Sequence, residues 1–187
     1  MEAIRHYFNQ FLKLSDREWD DFAQCLKRKE IAKKEWLLEQ GQTCDFLAFI
    51  ESGLFRFYTI KEGEEKITGF FFSGDFVSNY RSFLTGKESE HYIESMQESV
   101  VFLISKNDLQ QLYDKHHHLE RLGRFIAENL YLNVAGRLDS FMFDSPKERY
   151  EALLRRNSKL LQEIPQYMLA SYLGVKPETI SRIRGKM

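Results

Sequence analysis

From residue 36 to residue 104 the chain never keeps one hydrophobic period for long. Short apolar runs (WLLE, FLAFI, LFRFYTI, KITGFFF, HYIESM, VVFLI) alternate with turn signals (GQTCD, ESG, KEGEEK, SGD, TGKESE). Runs of this length, rich in Phe, Tyr, Ile and Val and spaced by glycine turns, predict several short strands closed into a sandwich, jelly roll or barrel. KEGEEK, residues 61–66, reads as a hairpin tip in which Gly63 supplies a positive φ. The sixteen Phe and nine Tyr of the whole chain fit an aromatic-rich core.

The flanks read differently. Residues 1–35 are expected to be helical. SDRE, residues 15–18, is a capping box, and Trp19, Phe22, Ala23 and Leu26 follow at helical spacing. SKND, residues 105–108, is a further cap. A long amphipathic helix is then expected from about residue 117, with Leu119, Leu122, Ile126, Leu130, Val134, Leu138 and Phe141 recurring every three or four residues. Such a stripe packs on the β region or pairs with its twin in a second copy, and spacing alone allows both. SPKE, residues 145–148, opens a new helix with Ser145 as cap and Pro146 at its first position.

The strongest local signal is QYMLASYLGVKPETISRIRG, residues 166–185. Leu169, Ala170 and Leu173 would face inward on a first helix. Gly174 suits a left-handed turn, and Val175 points back to the core. Pro177 suits the first turn of a second helix, anchored by Ile180 and Ile183. This is the spacing of a helix-turn-helix. Glu178, Ser181, Arg182 and Gly185 then share the outward face. Arginine donates two bonds to guanine, glutamate accepts from the cytosine amino group, and serine reaches several base edges. Lys176, Thr179, Arg184 and Lys186 complete the expected DNA-contacting set, its cations suited to phosphates, which position without specifying. Charge agrees. Residues 145–187 hold nine Lys/Arg against four Glu, while the whole chain carries a net charge of −1. A basic terminal segment on an acidic body suits nucleic-acid binding.

With these residues in view, the chain resembles the CRP/FNR family of bacterial transcription regulators. LLEQGQTCDFLAFIESGLFRFYTI resembles the family's first β-roll strands, FFFSGDFV the start of its phosphate-binding cassette, VVFLISKNDLQQL its last strand and following helix, and PETISRI its recognition helix. The resemblance implies an α+β fold: an N-terminal double-stranded, jelly-roll-like β-roll with flanking helices (1–116), a long dimerisation helix (117–143) and a C-terminal helix-turn-helix domain (144–187). It places Leu119, Leu122, Ile126, Leu130 and Val134 at a homodimer interface. Gly74, Asp75, Phe76, Ser89 and Glu90 fall at the effector pocket, with Asp75 at the ribose-contacting acid. The implied partners are double-stranded DNA, a second copy and RNA polymerase.

Three departures sharpen the expectation. Cyclic-nucleotide binders of the family pair an arginine with the cyclic phosphate, but ESEHY, residues 88–92, puts Ser89 there, followed by Glu90. Losing the cation and adding a carboxylate disfavours an anion, so control by cyclic AMP is not expected, leaving an unidentified small molecule, a cyclic nucleotide held in a non-standard way, or no effector. No N-terminal cysteine cluster is present, and Cys25 and Cys44 are expected to be free thiols. His6, His91 and His116–His118 do not make a metal or haem site, since neighbours on a helix diverge by about 100°. The family's two-stranded wing has no residues after the second helix in this sequence. No nucleophile elbow, zinc-protease motif or phosphate loop appears, so an enzyme is not expected. Charged residues interrupt the N-terminus where a signal peptide needs an apolar stretch, which points to the cytoplasm.

Overall fold

The computed structural model describes residues 1–156 and 163–185. Two short helices open the chain, α1 (Glu2–Asn9) and α2 (Asp16–Gln24). The capping box at α2 forms as read: the Ser15 hydroxyl accepts from the Glu18 N–H, and the Glu18 carboxylate accepts from the Ser15 N–H. Eight strands follow: β1 (Lys27–Ile31), β2 (Trp36–Leu38), β3 (Phe46–Ser52), β4 (Leu54–Lys61), β5 (Glu64–Phe72), β6 (Phe76–Val77), β7 (Tyr92–Ser95) and β8 (Ser99–Ser105). A helix, α3 (Tyr80–Thr85), interrupts them. α4 (Lys106–Lys115), α5 (His117–Phe143), α6 (Pro146–Arg156), α7 (Gln166–Leu173) and α8 (Pro177–Arg184) complete the described elements.

The strands form two four-stranded sheets, in the orders β1-β8-β3-β6 and β2-β7-β4-β5. Consecutive strands repeatedly change sheet, which is the roll expected from the glycine-punctuated runs. The interior between the sheets is filled by Ile31, Leu38, Cys44, Ala48, Ile50, Phe55, Val77, Ile93 and Val101. The period of two then sends intervening residues to the opposite face. Phe49, Phe102 and Ile104 meet Ile4, Phe8, Trp19 and Phe22 of the N-terminal helices and Leu109 and Leu112 of α4.

One expectation needs correction here, and another gains a detail. Residues 27–31 are a strand and not part of a helical flank: KRKEI pairs antiparallel with β8, Lys27 opposite Leu103 and Ile31 opposite Ser99. As an edge strand with four exposed residues and only Ile31 buried, it shows no alternation to read. The hairpin tip also holds a second left-handed residue, Glu62 (φ 55°) beside Gly63 (φ 78°). Two consecutive positive φ values match the two-residue turn that suits the twist of its strands.

By contacts the chain divides into one unit of residues 1–59 and 70–128 and another of 60–69 and 129–187. The long helix is therefore not a unit of its own: α5 gives its first half to one and its second half to the other. In the first unit, Leu119 and Leu122 are buried with α2 and α4 in the helical core, and Ile126 packs against it. The assignment of Leu119 and Leu122 to a dimer interface is corrected, because these two side chains are already occupied within the chain. Leu130 and Val134 are 38% and 61% exposed and remain available. The histidine run is a polar helix start, as read. His116 Nε2 lies 2.7 Å from Asp21 Oδ2, and His118 Nδ1 lies 2.9 Å from Glu18 Oε1. Lys115 and His116 together hold the Asp21 carboxyl below its ordinary range.

Among the described residues no helix is long and apolar enough to cross a membrane. Cys25 and Cys44 are free thiols.

Candidate nucleic-acid interface

In the second unit, α6, α7 and α8 pack around one small core. Leu169, Ala170, Leu173, Ile180 and Ile183 are all buried, as their spacing predicts, together with Tyr150, Leu153 and Met168. α7 ends at Gly174 in the left-handed region (φ 66°, ψ 37°). The Gly174 N–H donates to Ser171 O at 3.1 Å and the Val175 N–H to Ala170 O at 2.9 Å, the paired bonds that close a helix on a left-handed residue. A side chain at Gly174 would also meet the Phe141 ring, whose Cε1 lies 2.9 Å from a Cβ built there. Arg149 donates from Nε to Leu173 O at 3.2 Å and from Nη1 to Asp144 O at 2.6 Å, tying α6 to the end of α5 and to α7.

The tip of the β4–β5 hairpin belongs to the same unit. The Ile67 N–H donates to Ser171 Oγ at 3.0 Å, and that hydroxyl donates to Glu65 O at 3.3 Å. Arg137 of α5 donates to Thr68 O and, at 3.3 Å, to Tyr172 O, with its guanidinium 4.1 Å from the centre of the Tyr172 ring. Sequence reasoning passed over Arg137 and Ser171, since neither breaks the helical pattern.

α8 presents the expected outward face. Glu178, Ser181, Arg182 and Gly185 are exposed, while Ile180 and Ile183 are buried on the other side. Among the described residues Glu178 and Arg182 form no ion pair with each other or with any other group. Both keep full hydrogen-bonding capacity. Lys176 is the residue before the helix and is exposed; Thr179 is half-buried. Arg184 is exposed and has an internal partner as well. Its Nε donates to the Tyr150 hydroxyl at 2.8 Å, so it serves first as a strut to the buried face of α6. Lys186 lies outside the described residues. A residue not singled out in the sequence joins the face: Gln166, at the start of α7, donates from Nε2 to Pro177 O at 2.9 Å and to Ser181 Oγ at 2.6 Å.

The residues expected at an effector pocket each have local partners. Gly74 faces a shallow depression lined by Glu2, Ala3, His6, Tyr7 and Gln10 of the α1 region. Phe76 stacks on Phe8 at 6.0 Å and meets Tyr7 at 5.2 Å, in the helical core and away from the roll interior. Asp75, aligned with the family's ribose-contacting acid, has a carboxylate that accepts from the Phe72 N–H at 2.8 Å within its own turn. Ser89 is buried. Its hydroxyl accepts from Asn79 Nδ2 at 2.6 Å and donates to His91 O at 2.7 Å. The polar neighbour of Ser89 is thus Asn79, which also caps α3 by accepting from the Ser82 N–H. Glu90 is exposed and 3.9 Å from Arg81, itself on the surface. His91 stacks on Phe57 at 4.5 Å, and burial lowers its pKa. The polar groups around Ser89 are satisfied by one another, and no guanidinium reaches them. These residues do not fit a cyclic phosphate.

A two-sheet β-roll followed by a long helix and a helix-turn-helix with a free polar face defines a DNA-binding transcription regulator. Residues 28–116 match the cyclic nucleotide-binding domain family. The chain is 28% identical to the fumarate and nitrate reduction regulatory protein of Vibrio cholerae, across 92% of this chain and 74% of that protein. FixK2 of Bradyrhizobium japonicum shares the fold with a TM-score of 0.70 at 17% identity, over 86% of this chain and 83% of that one. A transcriptional regulator assigned to the crp/fnr family from Eubacterium rectale gives a TM-score of 0.70 at 17% identity, over 95% of this chain and 85% of that one. The chain is thus similar over most of its length to bacterial transcription regulators and shares the fold of solved CRP/FNR-family members.

Proposed function

We propose that the protein acts in the cytoplasm as a homodimer that reads an inverted repeat in DNA through α8, without control by cyclic AMP. One observation carries this reading. Glu178, Ser181 and Arg182 stand together on an exposed face, and neither the acid nor the base is consumed by an internal ion pair. A carboxylate facing DNA is repelled by phosphates, so Glu178 gains there only by accepting from a base amino group. Arg182 suits guanine O6 and N7. Lys176 and Lys186 suit phosphates, beside Thr179. A dimer would set two α8 helices about 34 Å apart, in successive major grooves. The exposed Leu130, Val134 and Leu138 on the second half of α5 support such a pairing. A contact with RNA polymerase belongs to the same reading.

Replacing Arg182 with alanine is expected to weaken operator binding by about 1–3 kcal/mol, roughly 5- to 150-fold, and to relax one base position in each half-site. Fluorescence anisotropy on the selected operator and on single-base variants measures both. Equal losses on operator and scrambled duplex would assign Arg182 to the phosphates.

The effector part of the reading rests on the self-satisfied Asn79–Ser89–His91 bonds. Cyclic AMP and cyclic GMP are expected to leave the thermal midpoint unchanged. A saturable rise of several degrees with either nucleotide in the unmodified protein would overturn this part.

A further inference from the structure

Among the described residues, Gln166 is the polar side chain of α7 that bonds to the reading face of α8. Its Nε2 lies 2.9 Å from Pro177 O and 2.6 Å from Ser181 Oγ. A carbonyl oxygen can only accept, so the amide orientation is determined: the amide oxygen in that place would face another acceptor. With one N–H on Pro177 O, the other falls to Ser181. The serine oxygen is therefore an acceptor towards Gln166, and its own hydrogen cannot point that way. No other bond of the Ser181 hydroxyl occurs among the described residues, so the hydrogen stays available on the exposed face of α8. Accepting one bond also polarises the hydroxyl as a donor.

We propose that Gln166 is a specificity-determining positioning residue that turns Ser181 into a hydrogen-bond donor towards the major groove. This rests on α8 being the base-reading helix. A serine offering its hydrogen favours base edges that accept: purine N7, guanine O6 and thymine O4. Cytosine, whose groove edge presents only the N4 amino donor, can be met only through the one lone pair that Gln166 leaves, and is the less favoured partner. Serine alone is nearly indifferent, since a free hydroxyl rotates to suit either partner. The discrimination comes from α7, one helix away from the bases.

Binding-site selection on the full chain tests this with four proteins: unmodified, Gln166→Met, Ser181→Ala and the double variant. Methionine keeps the length of the side chain and removes both N–H groups. Ser181→Ala is expected to flatten the preference at one position per half-site. Gln166→Met is expected to flatten the same position, with a three- to tenfold loss of discrimination against cytosine, the worth of one neutral hydrogen bond. The double variant should match Ser181→Ala alone. Preferences elsewhere, non-specific affinity and the thermal midpoint should be unchanged in Gln166→Met. If Ser181→Ala alters a position that Gln166→Met leaves intact, the proposal fails while the reading of α8 stands. If Gln166→Met weakens every position alike, Gln166 only braces the two helices and the proposal also fails. If Ser181→Ala changes no position, Ser181 is not a reader, and the proposal falls with that part of the reading.

Discussion

Replacing Glu94 with alanine is expected to destabilise the β-roll by about 3–5 kcal/mol, the cost of breaking a buried ion pair from one side. Arg56 and Glu94 stand opposite each other on β4 and β7, with Nη2 2.8 Å from Oε2. Both residues are under 10% exposed. The same carboxylate oxygen accepts from the Tyr58 hydroxyl at 3.0 Å, and Trp36 Nε1 donates to that hydroxyl at 3.2 Å. The Arg56 guanidinium lies 4.2 Å from the centre of the Tyr58 ring, which stacks on Tyr92 at 5.0 Å. Burial, reinforced by Glu94, pushes the Tyr58 phenol up to about 12. Removing Glu94 takes a charged partner from a buried guanidinium and the acceptor from the Tyr58 phenol. The charges pair because both are buried, so the pair need not add net stability. Replacing both together, Arg56→Met with Glu94→Leu, is therefore expected to cost far less than either single change. Urea unfolding followed by tryptophan fluorescence gives the double-mutant cycle. A single-variant loss under 1 kcal/mol would show that the pair is hydrated and not structural.

Gly53→Ala is expected to cost about 2–6 kcal/mol, combining backbone strain with overpacking. Gly53 joins β3 to β4 at φ 122°, where side chains are rarely found. A Cβ built there lies 2.0 Å from Ser99 Oγ, 2.4 Å from Ser99 Cβ and 2.9 Å from Ser99 Cα. A new rotamer of Ser99 would clear only the first of these, because the other two atoms move only with the backbone. Ser99 is itself buried and 2.8 Å from the Ser95 hydroxyl. Gly41→Ala is the control. Its φ is 88°, but nothing lies within 4 Å of the added methyl, so only the backbone term remains. If the two variants melt alike in urea, the close approach of Ser99 contributes nothing.

Much of this was legible in the residues because local rules and packing agree. The Ser15–Glu18 box, Gly174 and the inward set from Leu169 to Ile183 each satisfy a local geometric demand that leaves a trace in sequence. β1 was missed because its structure comes from pairing with β8, while its own residues are charged and exposed. Leu119 and Leu122 show the limit of periodicity. A stripe at helical spacing says that a face is covered but not by what, and here the chain's own α2 and α4 cover the first turns. Asp75 is ambiguous in sequence for a related reason. A carboxylate beside a glycine turn suits a ligand and equally suits the turn's own N–H groups, and only coordinates show that Phe72 takes it. Gln166 left almost no signal, since its role depends on the crossing of α7 and α8.

The central claim is that α8 reads base sequence as part of a two-fold dimer. Binding-site selection from random duplex, with the purified protein at low salt, measures it directly. The expected result is an inverted repeat with half-site centres one helical turn apart, in which Arg182→Ala, Glu178→Ala and Ser181→Ala each relax a different position. Selection of no repeat, or a repeat unaffected by all three substitutions, would contradict it.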